Sequence, residues 1–400
     1  MQKHLFSFNF FLFCFLPAMG QGGDNHGCSF TWWANATLKE IRSWAGSSQR
    51  AIEKCESIGQ SERFFWPVHS AAAGSTSEAV SILINAGAVL NAPDSLGMTP
   101  MHYAAENPRS DVLKTLLNAG ADINLRDHWG NTPLHDAARS GNSDNLKVLI
   151  EAGADLAART EVGLTVVHAA ATSGNTLNLK ILLDAGADFL VKDVLGITAL
   201  HDAKMAPPES VQLLVDAGAD LEARDNFDRT PLLEFSENGA SENIEVLIRA
   251  GADLEAVSKK NSNATPLMMA INRHALDGGC PIKNIAALIK GGANISLQDE
   301  YGDNLLHRAI QQSCQVEVIA LLIGAGVKAN AANNDGNTPL HLAVHSVGLP
   351  TNIIETLLQL GANTDLKNNR GNTPWYEAKS SSLKARNPKA FWALNDARFK

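Results

Sequence analysis

The 400-residue chain contains no Gly-x-x-x-x-Gly-Lys-Ser/Thr loop, no dinucleotide-binding glycine pattern, no His-Glu-x-x-His and no Cys-x-x-Cys. Phosphate-cradling loops, dinucleotide sites and the commonest zinc sites each leave such a mark, so none is expected, and neither a cofactor nor a resident metal is assigned. Positive charge is also in deficit. Thirty-three Lys and Arg against 42 Asp and Glu leave a net charge of −9. A surface of that sign is repelled by phosphate backbones, which argues against nucleic acid as a partner, and against peripheral binding to an anionic membrane. Beyond residue 20 no stretch is long or apolar enough to span a bilayer, so no membrane insertion is expected of the mature chain.

Residues 1–20 differ from everything after them. Lys3 and His4 precede Phe10-Phe11-Leu12-Phe13-Cys14-Phe15-Leu16, and the segment closes with Pro17-Ala18-Met19-Gly20. A basic start, a short apolar run and small residues before Gln21 describe a cleaved export signal, which places the mature chain in the periplasm or outside the cell. Phe13 stands where a lipoprotein cysteine needs a small residue, so cleavage is expected rather than lipid anchoring. Loss of Lys3 moves the charge from −9 to −10. The mature chain keeps Cys28, Cys55, Cys280 and Cys314. An even number of cysteines in an exported chain suggests disulfides, with three possible pairings.

One short phrase is rewritten along most of the sequence. Gly130-Asn131-Thr132-Pro133-Leu134-His135-Asp136-Ala137-Ala138 returns as Gly97-Met98-Thr99-Pro100-Met101-His102, Gly163-Leu164-Thr165-Val166-Val167-His168, Gly196-Ile197-Thr198-Ala199-Leu200-His201 and Gly336-Asn337-Thr338-Pro339-Leu340-His341. The histidines fall at 69, 102, 135, 168 and 201, a constant spacing of 33. Threonine followed by proline is a helix start: the hydroxyl can accept from a first-turn N–H, and proline's fixed φ suits the first helical position. Ala137-Ala138 permit close helix stacking, Leu146, Val148, Leu149 and Ile150 line a second helix, and Gly153 ends it in the left-handed conformation.

A 33-residue period carrying Thr-Pro-Leu-His and two small residues resembles the ankyrin-repeat family. The resemblance implies an all-α solenoid of stacked helix-turn-helix repeats, with β-hairpin loops projecting at right angles to the helices. It also implies that the repeated histidine is structural, bridging neighbouring repeats through hydrogen bonds. The expected organisation is a signal peptide over 1–20, an N-terminal cap and insertion over 21–62, nine repeats over 63–369 and a capping repeat over 370–400. The sixth repeat has Thr230-Pro231-Leu232-Leu233 without the histidine, the seventh has a longer connection around His274 to Cys280, and the eighth opens with Asn304-Leu305-Leu306-His307.

His135-Asp136 and His201-Asp202 resemble a His-Asp pair, and chemistry there is discounted on the same grounds. Histidines one repeat apart sit on helices roughly 8–10 Å apart, too far to share a zinc ion about 2 Å from each ligand. His274 with Cys280 and Cys314 is the one group that could hold a metal, and an ordinary disulfide or buried thiols are the preferred reading. The basic stretch from Lys379 to Lys400 reads as a solvated cap face.

The signal not absorbed by the repeat lies at the loop tips. Leu96, Trp129, Val162, Leu195, Phe227 and Tyr301 stand just before the repeat glycine or its replacement, and Met98, Leu164 and Ile197 just after it. Stacked in register, these side chains would form an apolar row, either a contact surface or mutual packing of neighbouring tips. The function expected is that of a monomeric, non-enzymatic scaffold binding another protein through its hairpin tips and inner helical face. The alternatives are a secreted effector acting in another cell, and a small-molecule-binding protein or enzyme built on the irregular seventh repeat.

Cys280 and Cys314 each lie eight residues before a second-helix leucine, Leu288 and Leu322, so they occupy equivalent places in adjacent repeats. Helix spacing of about 8–10 Å exceeds the ~4.4–6.8 Å a disulfide needs between Cα atoms, so the longer seventh connection has to carry Cys280 toward its partner. The other pair, Cys28–Cys55, closes a 26-residue loop and should contribute on the order of 3 kcal/mol. Peptide mapping of exported protein is expected to recover a crosslinked 28/55 peptide; two free thiols would refute the pairing.

Overall fold

In the computed structural model, residues 38–46, 67–261, 263–272, 280–346 and 352–398 are described. Residues 1–20, expected from sequence to be an export signal, and Cys28, Cys55 and His274 lie outside them. The chain divides into two compact units, one ending at Asp122 and the other beginning at Ile123.

The first unit holds α1 (Leu38–Gly46), α2 (Pro67–Gly74), α3 (Ser77–Asn85), α4 (Pro100–Glu106) and α5 (Ser110–Asn118). Helix α2 packs on α4, α3 on α5, and α1 on α3. Ile41, Val68, Ala71, Leu83, Met101 and Leu113 fill the spaces between them and are fully buried. His69, in the disguised phrase Trp66-Pro67-Val68-His69, still bridges to the following loop: its Nε2 donates to the Ala92 carbonyl at 2.9 Å and the Met98 carbonyl at 3.1 Å.

The second unit repeats one motif. Its first helices are α6 (Pro133–Arg139), α8 (Val166–Ser173), α10 (Ala199–Asp202), α12 (Pro231–Asn238), α14 (Pro266–Asn272), α16 (Leu305–Gln311), α18 (Pro339–His345) and α20 (Pro374–Ser380). They alternate with α7 (Ser143–Glu151), α9 (Thr176–Asp184), α11 (Pro208–Asp216), α13 (Ser241–Arg249), α15 (Ile282–Lys290), α17 (Val316–Gly324) and α19 (Ile353–Gln359). The chain closes with α21 (Leu383–Arg386) and α22 (Pro388–Ala397), the latter packed on α19. Each first helix packs on the next first helix and each second helix on the next second helix, giving two layers. Such short amphipathic helices are marginal alone, so their stability comes from this stacking.

The repeated phrase works as a hydrogen-bonding device. The ring of His135 accepts from the Thr132 N–H at 3.2 Å and from its hydroxyl at 2.9 Å, both through Nδ1. Its Nε2 then donates to the Leu164 carbonyl in the next loop at 3.3 Å. His168, His201, His307 and His341 reach Ile197, Arg229, Asn337 and Asn372 in the same way, at 3.2, 3.2, 2.9 and 3.0 Å. The threonine is the helix cap read from sequence and does more than cap. Where the histidine is missing, Thr230, Thr265 and Thr373 accept a first-turn N–H, from Leu233, Met268 and Tyr376. Where it is present, the hydroxyl also bonds the imidazole Nδ1, as Thr132 does to His135 at 2.9 Å and Thr198 to His201 at 2.8 Å.

A second device left no mark in the sequence reading. Buried Asn178 donates to the carbonyls of Ala137, Ala138 and Ser140, and Asn243 to those of Ala203, Lys204 and Ala206. One amide thus satisfies the end of the preceding repeat's first helix, whose last carbonyls have no partner within it. Cys280 and Cys314 form a disulfide with Cα atoms 5.2 Å apart, closer than the usual helix spacing. Gln315 holds the same place by a reciprocal pair of bonds to the Cys280 backbone, at 2.9 and 3.0 Å.

Burial holds the bridging imidazoles neutral, lowering His69 and His135 to about 4 and shifting His168, His201, His307 and His341 in the same direction. A folded value below the unfolded 6.5 means that each group's contribution is present above pH ~6.5 and is lost as pH falls through the folded value. For His135 alone this amounts to roughly 3 kcal/mol. The urea midpoint is therefore expected to fall steeply between about pH 6.5 and pH 4, and a flat profile across that range would contradict the account.

Candidate functional site

Each loop is a finger built on a tight turn. In the finger before α6, the Asp127 carboxylate accepts the N–H groups of Trp129 at 2.9 Å and Asn131 at 2.7 Å. Gly130 sits at φ +80° between them. A Cβ on Gly130 would come within 2.8 Å of the Glu161 nitrogen in the next finger, so glycine is required by contact as well as by φ. In the sixth finger Asp228 takes the glycine's place at φ +61°. Its carboxylate is held by the Lys259 N–H at 2.8 Å and by Arg224 at 3.3 Å.

The finger backbones knit to one another. The Glu161 N–H donates to the Trp129 carbonyl at 2.8 Å, Val194 to Val162 at 3.0 Å, Asn226 to Leu195 at 2.7 Å and Asn334 to Tyr301 at 2.9 Å. These bonds use main-chain atoms, and the tip side chains stay at the surface. Trp129 is 53%, Phe227 50% and Tyr301 65% exposed, with Val162 and Leu195 close to half exposed. Phe227 carries the Arg229 guanidinium 5.1 Å from its ring centre.

The residues after the glycine behave differently. Met98 is buried, and Leu164 and Ile197 are half-buried, as is Leu96 in the first unit's finger. Of the expected apolar row, Met98 is therefore turned inside and Leu164 and Ile197 partly so, for a physical reason: their carbonyls receive His69, His135 and His168, which draws that position inward.

A second row carries the acids that sequence reading notes only as His-Asp pairs. The residue following each bridging histidine lies where first helix meets finger, and in the second unit it runs Asp136, Ala169, Asp202, with Glu234 at the matching place in α12. Glu234 is neutralised by Lys204 and by Arg229, and Arg229 also holds Asp225 at 2.8 Å. Asp136 is 4% exposed; one oxygen takes Arg139 at 2.7 Å, and the other, Oδ2, has no partner. Oδ2 of Asp202 is likewise buried without a partner. Burial, opposed by Arg139 and reinforced by Asp127, raises Asp136 to about 7. Burial also raises Asp202 to about 7, against Lys204 and with Asp193 and Glu234. The acid after the histidine is visible in sequence at 136 and 202; its burial is not.

Among the described residues no three His, Cys, Asp or Glu side chains gather as metal ligands, and no helix is long and apolar enough to cross a membrane. A shallow depression between the sixth and seventh fingers is lined by Asp225, Asn226, Asp228, Lys259 and Lys260. Its walls are charged and already bonded to each other, as in Lys260 Nζ to the Asn226 carbonyl. At the chain's end Trp375 and Phe391 stack 4.8 Å apart beneath Lys379, Lys384 and Arg398.

Comparison with known families matches the model described as ankyrin repeats (3 copies) at residues 65–127, 134–225, 200–280 and 275–368, together well over half of the chain. No curated protein sequence matches. Among solved structures, the human ASB11 ankyrin repeat domain is 26% identical, with a TM-score of 0.49 over 57% of this chain and 98% of that one.

The raised carboxyls imply a stability effect of definite sign. With a folded value of about 7 against 3.8 unfolded, Asp202 favours the fold while protonated, and that contribution is lost as pH rises from about 4 through 7. Replacing it by neutral asparagine should therefore stabilise the chain at about pH 8, by on the order of 2 kcal/mol, with the gain shrinking as pH falls and vanishing near pH 4. A variant destabilised equally at both pH values would show that the carboxylate is a structural partner instead.

Proposed function

The chain belongs to the ankyrin-repeat family, and from that membership we propose that it is an exported, non-enzymatic scaffold whose second unit binds another protein along its finger tips and the adjoining helical face. Ankyrin repeats generally mediate protein–protein interaction. The observation that carries the reading here is the set of half-exposed apolar side chains, Trp129, Val162, Leu195, Phe227 and Tyr301, on fingers whose backbones are already knit together. Packing does not consume these side chains, and large aromatic residues standing free on a rigid frame are the residues that dominate interface energies. Tip positions turn polar at Asp335 and Arg370, which supports placing the contact on the earlier repeats of the unit.

Export rests on residues 1–20 of the sequence and draws support from the Cys280–Cys314 disulfide, since such bonds persist chiefly in oxidising compartments. A monomer with a cleaved signal, working in the periplasm or outside the cell, is the form we propose.

Trp129→Ala and Phe227→Ala should each weaken capture of the native partner from that compartment by roughly 2 kcal/mol or more, about thirty-fold, with the melting temperature nearly unchanged. Asp335→Ala, at the polar end of the same set of tips, serves as control. Lower melting temperatures with undiminished capture would instead mean that the aromatic tips stabilise the stack and bind nothing.

A further inference from the structure

The basic C-terminal stretch, read in sequence as a solvated cap face, is laid over aromatic rings. Trp375 of α20 and Phe391 of α22 stack 4.8 Å apart, and Trp392 continues the row with its ring centre 5.4 Å from that of Phe391. Lys384 of α21 stands 5.7 Å from the Phe391 ring centre and 5.6 Å from that of Trp392. Lys379 and Arg398 stand 5.6 and 5.3 Å from the ring centre of Trp375. Packing accounts for two of the rings: Phe391 belongs with Ala390 and Leu394 to the buried side of α22, which lies on α19, and Trp375 is buried too. Trp392 is different. It is 51% exposed, on the side of α22 that also carries exposed Lys389 and Asp396. A capping unit needs a polar exposed face for solubility, so stacking does not account for an indole there.

Charge at this end runs against the rest of the chain. Residues 374–398 hold five Lys and Arg against two acids, where the whole sequence counts 33 against 42. Of those acids, Glu377 is buried and bonded to His345 and Asn368, each at 2.7 Å, and Asp396 takes the Asn395 amide at 3.2 Å. Among the described residues neither Lys379 nor Lys384 forms an ion pair; each has an aromatic ring instead. An ammonium over an exposed ring is held more weakly than one hydrogen-bonded to a carboxylate, so both lysines stand to gain from an anion. We propose that this surface docks a short acidic segment of a protein, whose carboxylates take Lys379 and Lys384 while an apolar side chain between them packs on Trp392. It uses none of the finger-tip residues and stands whether or not the tips bind. Charge also decides the class of occupant. The Debye length at physiological ionic strength is about 8 Å, so a short segment confined to the cap meets its positive field alone. An anionic membrane or a long polysaccharide would also meet the acidic remainder of the chain and be repelled by it.

The test uses the mature chain and short labelled peptides that share a central leucine, flanked in one by aspartate and glutamate and in the other by asparagine and glutamine. Fluorescence anisotropy is expected to show the acidic peptide bound at least about tenfold more tightly than the amide peptide, a preference that shrinks at high salt. Carbodiimide coupling of the bound acidic peptide to the unmutated chain should map to Lys379 or Lys384, a readout that needs no variant. Lys379→Gln combined with Lys384→Gln should abolish the preference. Lys147→Gln combined with Lys180→Gln, an equal change of charge on the exposed surface of α7 and α9, should keep it. Trp392→Ala should weaken the acidic peptide about tenfold with the melting temperature nearly unchanged, and Trp129→Ala should not weaken it. Equal binding of the two peptides, coupling confined to other lysines, loss of binding on Trp129→Ala, or no binding of either peptide overturns the site. Binding of phosphatidylglycerol vesicles in place of the acidic peptide would make the surface a lipid contact and overturn the protein segment as its occupant.

Discussion

The structure depends on a neutral imidazole held between two repeats. His135 ties the start of its own helix to the carbonyl of Leu164 in the following finger, and the same bridge recurs at His168, His201, His307 and His341. Only a group with an acceptor on one edge and a donor on the other can do this, which is why the ring must stay uncharged and why burial suits it. The bridge fixes where the next finger begins, and the inter-finger bonds from Glu161 to Trp129 and from Val194 to Val162 then follow.

That arrangement divides labour within each finger. The residue after the glycine is drawn inward by the histidine, while the residue before it contributes only its carbonyl to the neighbour and keeps its side chain free. Trp129 and Leu164 show the two outcomes: one is exposed, the other turns its carbonyl to His135. A rigid row of free side chains is a consequence of the main chain doing the packing. Asp136 and Asp202 sit on helices whose starts are tied down by the same histidines.

The irregular repeats keep the stack by substitute chemistry. Where the sixth repeat has Leu233 in place of histidine, Arg229 gathers Asp225, Glu234 and Glu237 instead, a charged network at the position of the lost bridge. The seventh repeat is clamped to the eighth by Cys280–Cys314 and by Gln315. Sequence spacing placed the two cysteines at equivalent points but left the approach open, because ordinary helix spacing exceeds disulfide reach. Only the packed chain brings their Cα atoms to 5.2 Å.

Periodicity carried the architecture in plain view. A constant 33-residue spacing, Thr-Pro helix starts and glycine stops are local features, each obeying rules of the backbone near it, and the stacked α fold and the structural histidine follow from them. Burial of individual side chains is not local. Leu96 and Met98 flank the same glycine and look alike in sequence, yet Met98 faces inward because a histidine 29 residues earlier bonds its carbonyl. Asp136 and Asp202 read in sequence as members of His-Asp pairs; that water is excluded from one oxygen of each, with no donor supplied, is decided by neighbouring helices and fingers that no short window of sequence contains.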